Sequence, residues 1–252
     1  MVVRSVKSNQ DGIYKNLEEV VRKYATTSFL RPVADHTREA FEKVCVFVRE
    51  FYGAGCVPAV QECSGRRPLT LVLDSGCGTG ESTIHLARKF PDVPVIGIDK
   101  SAERLTKAGN DRQLEYAVAG SRELPANVFW VRAELLDLWR LSLEKVNAGE
   151  WNILHHALYY PNPWPKESEA TRRFHLHPIF PTLLRLSPVT ELRTNWEIYA
   201  REFKEAASIA GDILSLNVSA ECVAFNPEKP ETAFERKYFE AGQVLWKVSV
   251  SY

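Results

Sequence analysis

The stretch from Leu69 to Asp99 decides the fold, and it reads LTLVLDSGCGTGESTIHLARKFPDVPVIGID. Its start, Leu69–Leu73, is a short apolar run that is typical of a buried parallel strand. Three glycines follow at alternate positions and permit a tight turn of the backbone: Gly76, Gly78 and Gly80. Apolar residues then recur at helical spacing up to Phe90, before Pro91 and a second apolar run. The stretch therefore predicts a β-α-β unit whose first turn cradles a ligand at the carboxyl ends of the strands.

The residues around these glycines favour one ligand over another. A dinucleotide-binding G-x-G-x-x-G pattern requires a third glycine where this chain has Glu81 or Thr83. A carboxylate at a helix start also repels a pyrophosphate, because it occupies the end that attracts anions. The pattern Asp74-x-Gly-x-Gly-x-Gly with a second acid at Asp99 instead resembles the S-adenosylmethionine loop of class I methyltransferases. That resemblance implies that Asp99 binds the ribose hydroxyls and Asp74 faces the methionine ammonium; the alternative is a glycine turn without a ligand.

Composition and charge set the broad class of protein. The 252 residues are 45% hydrophobic and 25% charged, which is usual for a globular chain of one large α/β domain or two small ones. No apolar run approaches the ~20 residues of a membrane helix, and the first residues lack the apolar core of a signal peptide. Five cysteines without C-x-x-C spacing predict reduced thiols. We therefore expect an intracellular protein without a membrane partner, cytoplasmic or, in a eukaryote, also nuclear. Its net charge of zero restricts any nucleic-acid contact to a local patch.

Hydrophobic periodicity predicts the remaining elements. Helices are expected near residues 17–24, from an N-cap at Asp35 to about residue 51, from Asp99 to about 119 with a break near Gly109, and at 196–207. Strands are expected at 128–131, 151–158 and 189–193, and an antiparallel pair at 214–219 and 244–250. The whole predicts a mostly parallel Rossmann-like α/β sheet with helices on both faces. The predicted division is an N-terminal helical extension, 1–64, followed by a methyltransferase domain, 65–252.

An unusual loop follows the fourth predicted strand and reads YYPNPWPK over residues 159–166. Its three prolines fix φ and disfavour a helical conformation in the residue before each of them. The loop is therefore stiff and presents Asn162 and Trp164 at the edge of the sheet. Loops that present amide and aromatic groups often carry function. The alternative is a rigid connection in which Trp164 is simply packed.

A basic segment follows this loop. Its members are Lys166, Arg172, Arg173, His175, His177 and Arg185. They are either a strip that contacts phosphates or one solvated helix face, and the sequence leaves both open. The two histidines have no third ligand at a suitable spacing, so no metal site is expected. His155 and His156 point to opposite faces of a strand and are expected in the core or at an edge.

Three later motifs, together with the glycine loop, resemble the tRNA (guanine-N7)-methyltransferase family. They are PNPWPK at 161–166, TNWEIYA at 194–200 and TAFER at 232–236. The resemblance covers roughly residues 65–250 and implies the class I methyltransferase fold, S-adenosylmethionine as cofactor and tRNA as substrate. In the family, positions matching Asp74, Asp99 and Glu134 hold the cofactor. In the family, residues matching Lys166, Asn195 and Thr232 to Glu235, with Phe234 among them, hold the guanosine. Trp164 of the proline loop and Arg172 of the basic segment are further candidates for contact with the substrate.

This chain departs from the family pattern at three places. Asn162 replaces the acid of the proline loop, Asn195 replaces the acid before the tryptophan, and Ser187-Pro188 replaces a Gly-Gly pair. Both asparagines keep a hydrogen-bonding carbonyl and lose the charge. We therefore assign Asn162 a positioning role at the catalytic centre, with Glu235 as a candidate carboxylate beside a cationic product.

Two other functions stay open at this stage. Asn-Pro-Trp also resembles the Asn-Pro-Pro-aromatic loop of methyltransferases that act on the exocyclic amine of a base. A methyltransferase-like fold that binds RNA without catalysis is the second alternative. Eukaryotic members of the resembled family use a β-propeller subunit, so a partner subunit or a homodimer is also open.

Overall fold

The computed structural model describes residues 6–53, 67–108 and 124–252. Seven strands lie in these residues: β1 Leu69–Ser75, β2 Val95–Asp99, β3 Val128–Arg132, β4 Trp151–Tyr159, β5 Val189–Thr194, β6 Ser219–Phe225 and β7 Leu245–Ser251. The helices are α1 Leu17–Ala25, α2 Asp35–Gly53, α3 Glu81–Lys89, α4 Leu135–Asn147, α5 Phe180–Arg185, α6 Glu197–Leu214 and α7 Ala233–Glu240. Residues 102–108 are also helical, and two 3-10 turns cover Glu167–Arg172 and Phe174–Leu176.

The hydrogen-bonded order of the strands is β3-β2-β1-β4-β5-β7-β6. β1 pairs with β2 and β2 with β3 in parallel, whereas β7 pairs antiparallel with both β5 and β6. The predicted fold class, a Rossmann-like and mostly parallel sheet closed by an antiparallel C-terminal pair, is confirmed. None of the helices in the described ranges has the length and apolar character to cross a membrane.

The chain divides into two compact units, one of which is Pro32–Ala157. Its core is formed by β1 and β2, where Leu71, Leu73, Ile96 and Ile98 have no solvent exposure. This burial explains why the two strands are apolar at every position of their centres, as parallel strands covered on both faces are.

The other unit is Met1–Arg31 with Leu158–Tyr252. Its centre is α6, whose buried stripe includes Tyr199, Phe203 and Ala207, and whose Phe203 ring meets Phe180 edge-on at 5.4 Å. Helix α1 packs against α6 within this unit. The predicted division at residue 64 stays a prediction.

The prediction of a strand at residues 214–219 is wrong. Helix α6 continues to Leu214, Ser215 then adopts a φ of 56°, and β6 begins only at Ser219. The chain then turns back closely on the helix. Val218 packs against Gly211, where an added Cβ would lie only 2.6 Å from Val218 Cγ2. The apolar residues that alternate with polar ones at 214–219 therefore belong to a helix end and a tight turn, and not to a strand.

The other differences are small. Helix α2 begins at Asp35 itself, so this residue lies in the first turn and not at the N-cap. Part of the helix expected after Asp99, from residue 109 to 119, lies outside the described residues. The predicted weak helix at 17–24 is confirmed as α1, and His155 and His156 are both buried as expected.

Candidate functional site

The loop between β1 and α3 has the conformation that the glycines predict. The φ angles of Gly76 and Gly78 are 77° and 58°, which favours glycine. The N–H groups of Gly76 and Cys77 donate to the Ile98 carbonyl at 2.8 and 3.0 Å, which fixes the loop to β2. A Cβ on Gly76 or Gly78 would meet no described atom within 4 Å. Among the described residues nothing fills the space beside either backbone, so the turn has room for a cofactor.

Gly80 differs from the other two glycines in its surroundings, and its contact with the cofactor stays a prediction. It has a φ of 77° and caps α3, but a Cβ there would lie 2.7 Å from Trp130 Nε1 and 2.8 Å from the Ala108 methyl group. Gly97 on β2 likewise leaves room for Trp130, whose Cδ1 would lie 2.5 Å from an added Cβ. Both glycines thus make room for the indole ring of Trp130. Sequence reasoning did not single out Trp130 as a neighbour of the glycine loop.

The Asp74 side chain binds the start of α3, on the far side of the glycine loop in the chain. Its carboxylate is 1% exposed, and Oδ2 accepts hydrogen bonds from Ser82 Oγ at 2.7 Å and Thr83 Oγ1 at 2.6 Å. Both hydroxyls belong to the first turn of α3, so Asp74 joins the end of β1 to the helix start. Its contact with the methionine ammonium stays a prediction.

Asp99 ends β2 and contacts the glycine loop directly. Its Oδ2 accepts the Gly78 N–H at 3.1 Å, and its Oδ1 accepts the Ser101 N–H at 2.7 Å. Glu134 follows β3, is half-buried and stands at the N-cap position of α4. The Ala133 N–H, next to it, donates to the Asp99 carbonyl at 3.2 Å. The structure thus brings Asp99 and Gly78 into contact. Glu134 directly follows Ala133 in the chain, whose N–H donates to the Asp99 carbonyl.

A buried polar network supports the end of β1. Trp139 Nε1 donates to Ser75 Oγ at 2.9 Å, and Ser75 Oγ lies 2.8 Å from His156 Nε2. The hydroxyl has one hydrogen to give, so this pair fits a neutral imidazole that accepts at Nε2. Burial, and to a lesser degree the proximity of His155, lowers the pKa of His156 to about 3.

The proline loop is held in a strained conformation at both ends. Tyr160 and Trp164 have φ angles of 51° and 45°, which bulky side chains rarely adopt. The exposed Asn162 side chain contributes to this geometry, because its Oδ1 accepts the Trp164 N–H at 3.3 Å. Asparagine and aspartate both make this local turn, so the family acid and Asn162 are equivalent in that respect.

The basic segment splits into exposed and buried members. Lys166 and Arg172 are exposed, and the Arg172 guanidinium lies 4.2 Å from the centre of the half-buried Trp164 ring. Arg173 has no exposure and pairs with Glu202, so its assignment to a solvated phosphate strip is wrong. In the described part of the chain no group of three His, Cys, Asp or Glu side chains is arranged to hold a metal.

The remaining substrate candidates lie around α7. Thr232 caps this helix, its Oγ1 accepting the Glu235 N–H at 3.0 Å, whereas Phe234 is 47% exposed. Asn195 Nδ2 donates to Gln243 Oε1 at 2.9 Å. The structure therefore brings Thr232 and Glu235 into contact and gives Asn195 a polar partner.

Glu235 is a buried, paired carboxylate. It has no exposure, and Arg193 Nη1 lies 3.0 and 3.2 Å from its two oxygens. Arg193 Nε also donates to Glu191 at 2.7 Å, so one guanidinium serves two carboxylates. Burial and the charge of Glu235 raise the pKa of Tyr160. Sequence reasoning missed Arg193. The only signal was its place, as a charged residue, at the end of the strand expected at 189–193.

The sheet, the open glycine turn and the acid that ends β2 together define an S-adenosylmethionine-dependent methyltransferase of class I. More particularly, the chain belongs to the family described as "Putative methyltransferase", whose model matches residues 68–248.

Similar proteins agree with this membership. The chain is 26% identical to a tRNA (guanine-N(7)-)-methyltransferase of Pseudoalteromonas atlantica over 71% of each chain. It is 29% identical to the protein of that name from Stutzerimonas stutzeri over 68% of each chain. The resemblance predicted from the motifs is thereby confirmed. A solved structure described as an antibiotic related methyltransferase superposes with a TM-score of 0.50 at 14% identity, covering 91% of this chain and 98% of the other, which supports the fold alone.

Proposed function

We propose that this chain transfers the methyl group of S-adenosylmethionine to N7 of a guanine in tRNA. The observation that carries the proposal is the family match over residues 68–248, together with the similarity to relatives named as tRNA (guanine-N7)-methyltransferases over about 70% of the chain. Gly76, Gly78 and Asp99 would hold the cofactor, which supplies an electrophilic methyl group on a sulfonium. A tRNA substrate makes the cytoplasm the proposed location.

The proposed chemistry needs alignment more than proton transfer. Guanine N7 carries an in-plane lone pair and no proton, so its attack requires no general base. Holding the two reacting groups in line can be worth ~7–11 kcal/mol. Asn162 and Trp164, on a loop fixed by prolines and by two positive φ angles, are the proposed positioning groups.

Charge near the base supports a cationic product. The methylated purine is positive, and fixed negative charge near it lowers the barrier. Asn162 cannot supply that charge. Around Arg193, however, one guanidinium pairs with both Glu191 and Glu235, so two carboxylates lie together here. We assign this cluster the electrostatic role and Lys166 and Arg172 the contact with RNA phosphates.

Nucleoside mass spectrometry of unmodified tRNA, treated with the purified chain and S-adenosylmethionine, tests the proposal. We expect 7-methylguanosine from the unmodified chain and from Glu103→Ala, an exposed control. Asp99→Ala should lose most of the product at limiting cofactor. A methylated exocyclic amine would favour the alternative chemistry, and cofactor and RNA binding without product would favour a non-catalytic role. Product formed by the purified chain alone would show that no second subunit is required.

A further inference from the structure

A buried arginine holds the backbone of the proline loop. Arg173 has no exposure, and its Nε and Nη2 donate to the Trp164 carbonyl at 3.2 and 2.9 Å. The Trp164 N–H is held at the same time by Asn162 Oδ1. Both polar groups of this residue are therefore fixed, which stabilises a φ of 45° that tryptophan would otherwise avoid.

Arg173 is itself held by the Glu202 carboxylate, which accepts four hydrogen bonds. Glu202 has no exposure and accepts from Arg173 Nη1 at 2.6 Å, His175 Nε2 at 2.9 Å, Gln10 Nε2 at 2.6 Å and the Tyr14 N–H at 2.7 Å. Burial alone would raise the pKa of Glu202, but its hydrogen bond with His175 and the charge of Arg173 lower that pKa to about 2. The carboxylate therefore remains charged and leaves Arg173 little freedom to turn.

The N-terminal segment completes this arrangement. Gln10 bridges the ion pair, since its Oε1 accepts from Arg173 Nη2 at 2.9 Å while its Nε2 donates to Glu202. Ser8 Oγ donates to the Pro165 carbonyl at 2.7 Å, and Asn9 Oδ1 accepts the Glu167 N–H at 3.1 Å. Residues 8–15, which we call the N-terminal strap, thus contact the proline loop and the residues that support it.

We infer that Gln10 and Arg173 are positioning residues for methyl transfer, and that the N-terminal strap sets the conformation of the proline loop. This role rests on the proposed function in one respect, namely that the loop contacts the target base. Neither residue is assigned to cofactor binding, so weakening the strap affects the alignment of the base and leaves the cofactor site intact.

Steady-state kinetics of Gln10→Ala test the positioning role, with Lys7→Ala, an exposed neighbour, as the matched control. Gln10→Ala should lower kcat by roughly ten- to hundredfold, because small misplacements of reacting groups have effects of that size. The KM for S-adenosylmethionine should stay close to that of the unmodified chain. Arg173→Lys, which keeps the charge and loses the forked contact, should lower kcat in the same way.

Hydrogen exchange of the free protein gives a second measurement that needs no activity. The Glu167 N–H is held by Asn9 and the Trp164 N–H by Asn162, so a peptide covering residues 162–169 reports whether the strap is engaged. Exchange in this peptide should be faster in Gln10→Ala and unchanged in Lys7→Ala.

The results separate this inference from the proposed function. A kcat of Gln10→Ala within twofold of the unmodified chain would overturn the positioning role, whatever the exchange rates show. Unchanged exchange at residues 162–169 would overturn the role of the strap. A methylated exocyclic amine in place of 7-methylguanosine would instead overturn the proposed function, and exchange would still decide whether the strap sets the loop.

Discussion

Acidification should destabilise this protein through His156. The ring has no exposure, and its pKa is lowered from an ordinary 6.5 to about 3. Between these two values the unfolded chain binds a proton and the folded chain does not, so stability falls as pH falls below 6.5. At pH 5 the difference is 1.5 pH units, which corresponds to about 2 kcal/mol. Above pH 6.5 the term vanishes, since neither state is protonated.

Urea denaturation at pH 7.5 and pH 5.0 measures this loss. His156→Gln offers Ser75 an amide oxygen near the position of Nε2 and has no proton to gain, so the variant should lose about 2 kcal/mol less between the two pH values. His175 and His177, whose pKa values are also lowered by burial, contribute equally to both proteins and cancel in the difference. His36→Gln, at an exposed position of α2, is the matched control and should behave like the unmodified chain.

The same loss in the unmodified chain and in His156→Gln would refute the reasoning. It would mean that His156 is protonated in the folded state, with Ser75 Oγ accepting from Nε2 and not donating to it. The hydrogen bond between Ser75 and His156 would then run in the opposite direction, while Trp139 Nε1 would still donate to Ser75 Oγ.

Three further predictions test the site and its support. Asp99→Ala should weaken S-adenosylmethionine binding by about 1–3 kcal/mol in a calorimetric titration, because hydroxyl and loop N–H partners lose their acceptor; unchanged affinity would remove Asp99 from the cofactor site. Asn162→Asp should keep turnover, since it still accepts the Trp164 N–H, whereas Asn162→Ala should lower kcat with cofactor affinity unchanged; equal kinetics of the two variants would contradict this. Gly97→Ala should destabilise the fold by roughly 1–3 kcal/mol in urea, because its Cβ would lie 2.5 Å from Trp130, and unchanged stability would show that the indole moves freely.

The sequence alone determined the elements whose signals are local. The apolar run of β1, the glycines at alternate positions and the acid at Asp99 predict a β-α-β unit with a ligand turn, and the structure has these elements at the predicted places. Alternation at residues 244–250 likewise predicted a strand, and the structure has β7 at Leu245–Ser251. These predictions succeed because backbone conformation at glycine and the burial of a strand depend on residues within a few positions along the chain.

Only the tertiary structure decided which similar residues have which role. Arg172 and Arg173 are adjacent and chemically identical, yet one is exposed against Trp164 and the other is fully buried. The difference comes from Glu202 and Gln10, which lie 29 and 163 residues from Arg173 along the chain. A buried charge is stable only when distant partners complete its hydrogen bonds, and no local pattern specifies those partners.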